Sequence, residues 1–194
     1  MNQNSWSRSI IEQAINYIQD IFAGNADGHD AAHSLRVYHN AQTIAANYPE
    51  CDTLRIALAA LLHDVDDHKL FATENNENAR RFLAGQGVEE PQIEAICEII
   101  NAVSFSKNRG QTPATLEGRI VQDADRLDAL GAIGAARTFA YGGEHGRSLE
   151  DSIAHFHEKL LLLRDTMNTP EGRAMADKRH AFLLDFLKEW DAEI

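Results

Sequence analysis

An all-α globular bundle is the fold class predicted by this 194-residue chain, and three features predict it. Apolar residues recur at spacings of three and four almost throughout, and no stretch sustains the alternation of a strand. Helix breakers and caps, Pro49 and Thr169-Pro170 among them, fall at the ends of the periodic segments.

Helices are expected over 6–23, 30–48, 52–65, 74–85, 89–103, 115–140, 149–167 and 170–191. In the second, Leu35, Tyr38, Ala41, Ala45 and Tyr48 share a face, and Pro49 follows its end. The third carries Leu54-Arg55-Ile56-Ala57-Leu58-Ala59-Ala60-Leu61-Leu62, with the apolarity of a buried helix. Ile93, Ile96, Ile100 and Val103 give the fifth its face. In the sixth, Val121, Ala124, Asp125, Asp128 and Ala132 form one stripe, while Asp123 and Arg126 point away from it and can pair at i,i+3. The last opens on Thr169-Pro170-Glu171, an N-cap followed by a first-turn proline, and Phe182, Leu183, Phe186, Leu187 and Trp190 form its apolar face. Polar connections are expected at Ser104 to Ala114 and at Tyr141 to Ser148. The glycines of the second can hinge a lid, although a plain helix-to-helix link accounts for them.

Length allows one domain over 1–194, with a core at roughly 28–130 and C-terminal helices 149–191 packed on it. A hydrophobic content of 44% and charged content of 25% are ordinary for a globular protein. No apolar run reaches bilayer length, and Met1 to Trp6 lacks the pattern of a signal peptide. Cys51 and Cys97 are too few for a disulfide framework, so free thiols and a cytoplasmic location are expected. A net charge of −12 argues against nucleic-acid polymers as partners. A small anion can still be held by a metal and a few local cations. Apolar helix faces leave a homo-oligomer open.

The chemistry concentrates in His33, the pair His63-Asp64 and Asp123-Ala124-Asp125-Arg126-Leu127-Asp128. A His and an Asp closing a buried apolar helix need compensation, and a divalent cation supplies it. Two imidazoles with carboxylates suit Mn²⁺, Fe²⁺, Zn²⁺ or Mg²⁺, and helices of a bundle commonly present such donors inward. His29-Asp30 is a second such dipeptide, but it starts a helix, where Asp reads as a cap. Helical position leaves both Asp125 and Asp128 as candidates for the later carboxylate. The bland alternative for the whole cluster is a solvated acidic face.

These residues resemble the H…HD…D signature of the HD-domain metal-dependent phosphohydrolases. Gly28 to Val37, Leu62 to Lys69, Val121 to Ala132, Ala136 to Gly143 and His155 to Leu160 look like a small bacterial branch of that superfamily. That branch is associated with hydrolysis of nucleoside triphosphates to monophosphate and pyrophosphate. The resemblance implies an all-α fold of HD type and one divalent metal, with Mn favoured over Fe, Mg, Zn, Ni or Co. It selects His33, His63, Asp64 and Asp125 as ligands, leaving Asp128 to orient a ligand histidine. Arg137 and Tyr141, four apart, are placed at the substrate by resemblance. Val65-Asp66-Asp67-His68-Lys69 matches the guanosine tetraphosphate hydrolases only in part, so that substrate is not expected.

The expected reaction is attack of metal-activated water on a phosphoester or phosphoanhydride of a small phosphorylated molecule, such as a nucleotide. Asp67 is the candidate to position or deprotonate the water, and His68 to pass a proton to the leaving group. Arg36, Lys69 and Lys159 are candidate phosphate contacts. Lys69 can equally be a solvated charge, and Lys159 a surface lysine whose stem covers apolar neighbours. His155 and His157, two apart, read as surface residues. The alternative is a non-catalytic metal-containing nucleotide sensor. A cyclic-dinucleotide phosphodiesterase would bring a further His pair and a Gly-Tyr-Pro segment, which this sequence lacks.

Overall fold

The apolar run of the third predicted segment becomes the helix about which the others are arranged. The structure, a computed structural model, describes residues 3–24, 30–103 and 111–194. Gly28-His29 and the Ser104 to Gly110 part of the expected polar connection lie outside the described residues. No strand occurs among the described residues, as the all-α reading requires.

The helices are α1 (Gln3–Ile21), α2 (Ala31–Ala45), α3 (Thr53–Leu62), α4 (Glu77–Gly85) and α5 (Glu90–Val103). They continue as α6 (Leu116–Asp128), α7 (Gly131–Glu144), α8 (Leu149–His155), α9 (Leu161–Leu163) and α10 (Pro170–Glu193). Helix α3 contacts α1, α2, α5 and α6. Its residues Ile56 to Leu62 are therefore buried in unbroken sequence. Ten residues are too few for a stable isolated helix, so tertiary burial holds it. Each fully buried Leu or Ile contributes about 1.5–3 kcal/mol toward that. Asp52 starts the helix by accepting from the amides of Leu54 (3.1 Å) and Arg55 (3.0 Å). The chain leaves it at His63, at the inner edge of the core.

Three expectations about the second half are corrected. The segment 115–140 is two helices, because Gly131 takes a left-handed φ of +73° and breaks α6 from α7. Only glycine enters that region without strain, and the Arg179 side chain packs where a Cβ would stand, at 3.2 Å. The connection expected from Tyr141 begins only at His145, since α7 continues through Gly142 and Gly143. Gly142 lets α8 approach closely: a Cβ there would meet the Ser152 hydroxyl at 2.5 Å. It is a packing glycine and not a hinge. The segment 149–167 is helical but not uniform, with a π turn at Phe156–Leu160 and a 3₁₀ turn at Arg164–Thr166.

The predicted cap at Thr169 is present, its hydroxyl accepting from the Gly172 amide at 3.0 Å. Helix α10 then packs across α6 and α7. Asp123 and Arg126 do not pair with each other as expected. The buried Asp123 carboxylate accepts from the amides of Asn168 and Thr169 (both 2.8 Å), the Thr169 hydroxyl (2.7 Å) and the Asn168 side-chain amide (2.8 Å). Arg126 instead donates to the Thr166 carbonyl. Asp123 thus ties the start of α10 to α6, because burial would otherwise leave its charge uncompensated.

Candidate metal centre

Helix α2 and the end of α3 bring His33, His63 and Asp64 together, and α6 sets Asp125 beside the two histidines. Asp30 caps α2, accepting from the His33 amide at 2.6 Å, so His33 lies in its first turn. His63 closes α3, Asp64 follows in the turn, and Asp125 lies in the last turn of α6. The Nε2 atoms of His33 and His63 are 3.2 Å apart. Asp64 Oδ2 is 3.4 Å from the first and 3.3 Å from the second. Asp125 Oδ1 is 3.4 Å and 3.7 Å from them.

Donors lying about 2.1 Å from a cation stand about 3.0 Å apart at right angles and about 3.4 Å apart at the tetrahedral angle. The separations among His33, His63 and Asp64 therefore match three donors around one ion, with Asp125 beside the two histidines. Ring tautomers support the same conclusion. His63 Nδ1 faces the Ala60 carbonyl at 2.9 Å, which can only accept, so that nitrogen carries hydrogen. His33 Nδ1 lies 2.7 Å from the Asp128 carboxylate and must also donate. Both neutral rings then direct bare Nε2 lone pairs at each other across 3.2 Å. Such an arrangement needs a proton or a cation between the rings. The residues present fit a divalent metal.

Electrostatics agree. Burial would pull the His33 ring below its ordinary value, but hydrogen bonds to Asp125, Asp128 and Asp64 raise it well above. His63 is likewise raised by Asp64 and Asp125 against burial. Burial would raise Asp125, yet the His33 bond and the His63 charge hold it below the usual carboxylate range. Asp128 is also held well below the usual carboxylate range, because bonds from His33 and Arg36 overcome its burial.

Asp128 is thus the orienting residue for His33. It accepts from Arg36 Nε at 2.6 Å and Nη2 at 3.0 Å, and from Arg137. Both guanidiniums, expected at the substrate, are also engaged on Asp128. Each side chain stays about a third exposed, at 32% and 30%, on the wall of the cavity that adjoins the donors.

That cavity has a volume of about 770 Å³, within the roughly 300–1,000 Å³ typical of small-molecule sites. Asp67, His68, Lys69, Tyr141 and Lys159 all line it. Asp67 Oδ1 holds the Lys69 amide at 2.9 Å and lies 3.9 Å from His68 Nδ1. Tyr141 is exposed and stacks on His145, with centroids 3.9 Å apart. Lys159 sits in the π turn, a feature often found at functional sites. His157 is exposed as expected, but His155 lines the cavity and is no surface residue. Arg126 and Arg147 also line it, and the sequence reading passed over both. Their only sequence signals are adjacency to Asp125 and the Tyr141–Arg147 spacing, neither of which specifies a cavity.

Comparison with known proteins places these features in a wider set. The HD domain family model matches residues 30–130. Bacillus subtilis YpgQ, a protein described as uncharacterized, is 37% identical, with 94% of this chain and 93% of YpgQ covered. The crystal structure of YpgQ in complex with ADP superposes with a TM-score of 0.85 and 33% identity, covering 97% of each chain. A Bacillus thuringiensis protein described as an HD-superfamily hydrolase superposes with a TM-score of 0.80 at 36% identity, covering 96% of this chain and 97% of that one.

Proposed function

The chain belongs to the HD-domain family, and from that premise we propose that it is a divalent-metal-dependent phosphohydrolase acting on a small nucleotide. The observation that carries the reading is the facing pair of Nε2 lone pairs with two carboxylates beside them. His33, His63, Asp64 and Asp125 would hold the ion. A divalent cation there supplies Lewis acidity to water and to phosphoryl oxygens. Mn²⁺ is our choice, on the resemblance of the motif. The crystallised YpgQ relative binds ADP, and the cavity here has the volume for a nucleotide, which supports that substrate class.

In this reading Asp67 accepts the proton of the attacking water, and His68, with 67% of its side chain exposed at the cavity, returns a proton to the leaving group. Lys69, Lys159 and Tyr141 contact the substrate, joined by the exposed parts of Arg36 and Arg137. Cleavage of a nucleoside triphosphate to monophosphate and pyrophosphate is the reaction we assign. An acidic protein with a walled cavity suits this substrate and not a nucleic-acid polymer. One unit over 1–194 serves the site in this proposal, since α10 packs on α6, which carries Asp125. No helix among the described residues is long and apolar enough to cross a membrane.

A screen of nucleoside mono-, di- and triphosphates with several divalent metals, read by product mass, tests the proposal. Turnover abolished by His63→Ala and Asp64→Ala is expected. Metal bound without turnover of any nucleotide would refute the hydrolase and leave a binding module.

A further inference from the structure

The turn that follows α3 joins two residues of unlike duty. The Asp67 amide donates to the Asp64 carbonyl at 3.0 Å, so Asp64-Val65-Asp66-Asp67 is one four-residue turn. Its first residue is a donor of the metal centre, and its last is the residue assigned above to the attacking water. Both middle residues are held by the first turn of α4. The buried Val65 carbonyl accepts from Asn78 Nδ2 at 2.8 Å. Asp66 Oδ1 accepts from the Asn78 amide at 2.9 Å, and its Oδ2 from the Ala79 amide at 3.0 Å.

Those two amides are donors that a helix start leaves without an intrahelical partner. A helix ordinarily satisfies them from its own N-cap, but Asn76 stands at φ +55° and its side chain makes no cap bond. Its Nδ2 donates instead to Asn101 Oδ1 of α5, at 3.1 Å. Asp66 therefore caps α4 from outside the helix, where a carboxylate also meets the positive end of the helix dipole. The element it ties to is itself held on two sides. Asn76 joins its start to α5, and Tyr17 of α1 stacks on Phe82 of α4 with ring centroids 4.8 Å apart. Asp66 and Asp67 thus differ although both border the cavity. Each oxygen of Asp66 takes an α4 amide, whereas Asp67 Oδ1 takes the Lys69 amide within its own segment.

We propose that Asp66 and Asn78 form a clamp that sets the spacing between the metal donor Asp64 and Asp67, which makes Asp66 a positioning residue and not a second acid for the substrate. The part that concerns Asp67 rests on the phosphohydrolase reading above, while the action on Asp64 rests on the metal centre alone. With both middle residues fixed to α4, the turn cannot swing about its ends. Asp64 then stays with the two histidines while Asp67 stays at the cavity. Without the clamp the turn keeps only its own backbone bond, and a displacement of about 1 Å in a positioned group can cost about a hundredfold in rate.

Asp66→Asn and Asn78→Ala test the clamp, with Leu83→Val, a change in the buried face of the same helix, as the control. Asp66→Asn sets an amide group against an α4 amide, donor against donor, and should speed hydrogen exchange at Asn78 and Ala79 by about tenfold or more. Asn78→Ala removes the bond to Val65 and keeps the capping carboxylate; it decides alone if Asp66→Asn fails to fold. Each should weaken Mn²⁺ by about tenfold to a hundredfold in titration of the chelator-treated protein. With Mn²⁺ saturating and a nucleoside triphosphate as substrate, kcat should fall by a similar factor while KM moves by less than about threefold. Leu83→Val should lower the melting temperature and leave Mn²⁺ affinity and kcat as in wild type. Clamp variants that bind Mn²⁺ and turn over as wild type does would overturn the proposal. So would a raised KM at unchanged kcat in Asp66→Asn, which would make Asp66 a substrate contact, or a Leu83→Val that loses metal and rate alongside its melting temperature. The two claims separate in the same experiment. Wild-type protein that hydrolyses no nucleotide refutes the function, while Mn²⁺ affinity lost in the clamp variants and kept in Leu83→Val upholds the clamp on Asp64. Turnover that neither clamp variant alters refutes the clamp and keeps the function.

Discussion

Replacing Asp128 by Asn removes one negative charge from the most heavily bonded carboxylate near the donors. Its Oδ1 takes Arg36 Nε at 2.6 Å, and its Oδ2 takes Arg36 Nη2 at 3.0 Å, His33 Nδ1 at 2.7 Å, and Arg137. An asparagine can place its oxygen where Oδ2 was, but its amide then faces Arg36 Nε, donor against donor. The residue is 2% exposed, so water does not repair the loss. Breaking a buried ion pair costs about 3–5 kcal/mol, and the one-third exposure of Arg36 and Arg137 puts the effect near 3 kcal/mol. At about 2–4 °C per kcal/mol for a chain of this size, the melting temperature should fall by about 6–12 °C. The same change loosens the tautomer and orientation of His33, so metal affinity should drop about 10–100-fold. Thermal melting of the metal-free variant and Mn²⁺ titration of the same sample read the two effects separately. Asp128→Asn that melts within 1 °C of wild type and binds Mn²⁺ equally well would refute the reasoning.

The metal-free protein should lose stability as pH rises above about 6.5, the unfolded histidine value, because His33 and His63 have raised folded values and their contribution disappears through those values. Asp125 and Asp128 act oppositely, contributing above about pH 4 and losing that contribution only as pH falls through their depressed values. Melts from pH 5 to 9 in chelator should therefore decline on the alkaline side, whereas saturating Mn²⁺ removes the decline because metal displaces the ring protons; a flat metal-free profile between pH 6.5 and 9 contradicts this. Gly131→Ala should cost about 1–3 kcal/mol in urea denaturation, since alanine is strained at φ +73° and its Cβ meets Arg179 at 3.2 Å. An unchanged midpoint would show that the α6–α7 break moves freely.

The parts of this molecule that declare themselves in sequence are those set by local pattern. The apolar run Leu54 to Leu62 could only be a buried helix, and a His-Asp pair at its end had to be compensated. Thr169-Pro170 and Asp30 cap as their chemistry dictates. The break at Gly131 was hidden because apolar residues keep helical spacing on both sides of it, and only the Arg179 contact from α10 fixes it. Gly142-Gly143 misled for the converse reason: glycine suggests a turn locally, while the close approach of Ser152 that requires it comes from another helix. At the site, residue type and spacing singled out His33, His63 and Asp64, which the fold brings together, but left Asp125 and Asp128 undivided. The partners of Arg36, Arg126 and Asp123 were not, because each lies across the fold, 92, 40 and 45–46 positions away.

Titration of Mn²⁺ into chelator-treated protein tests the central claim, that His33, His63, Asp64 and Asp125 form one metal centre. One equivalent should bind with release of protons, and His63→Ala and Asp125→Ala should each weaken it by at least about 100-fold, as the loss of a direct ligand exceeds the loss of an orienting partner. No binding by wild type, or undiminished binding by either variant, would contradict the account.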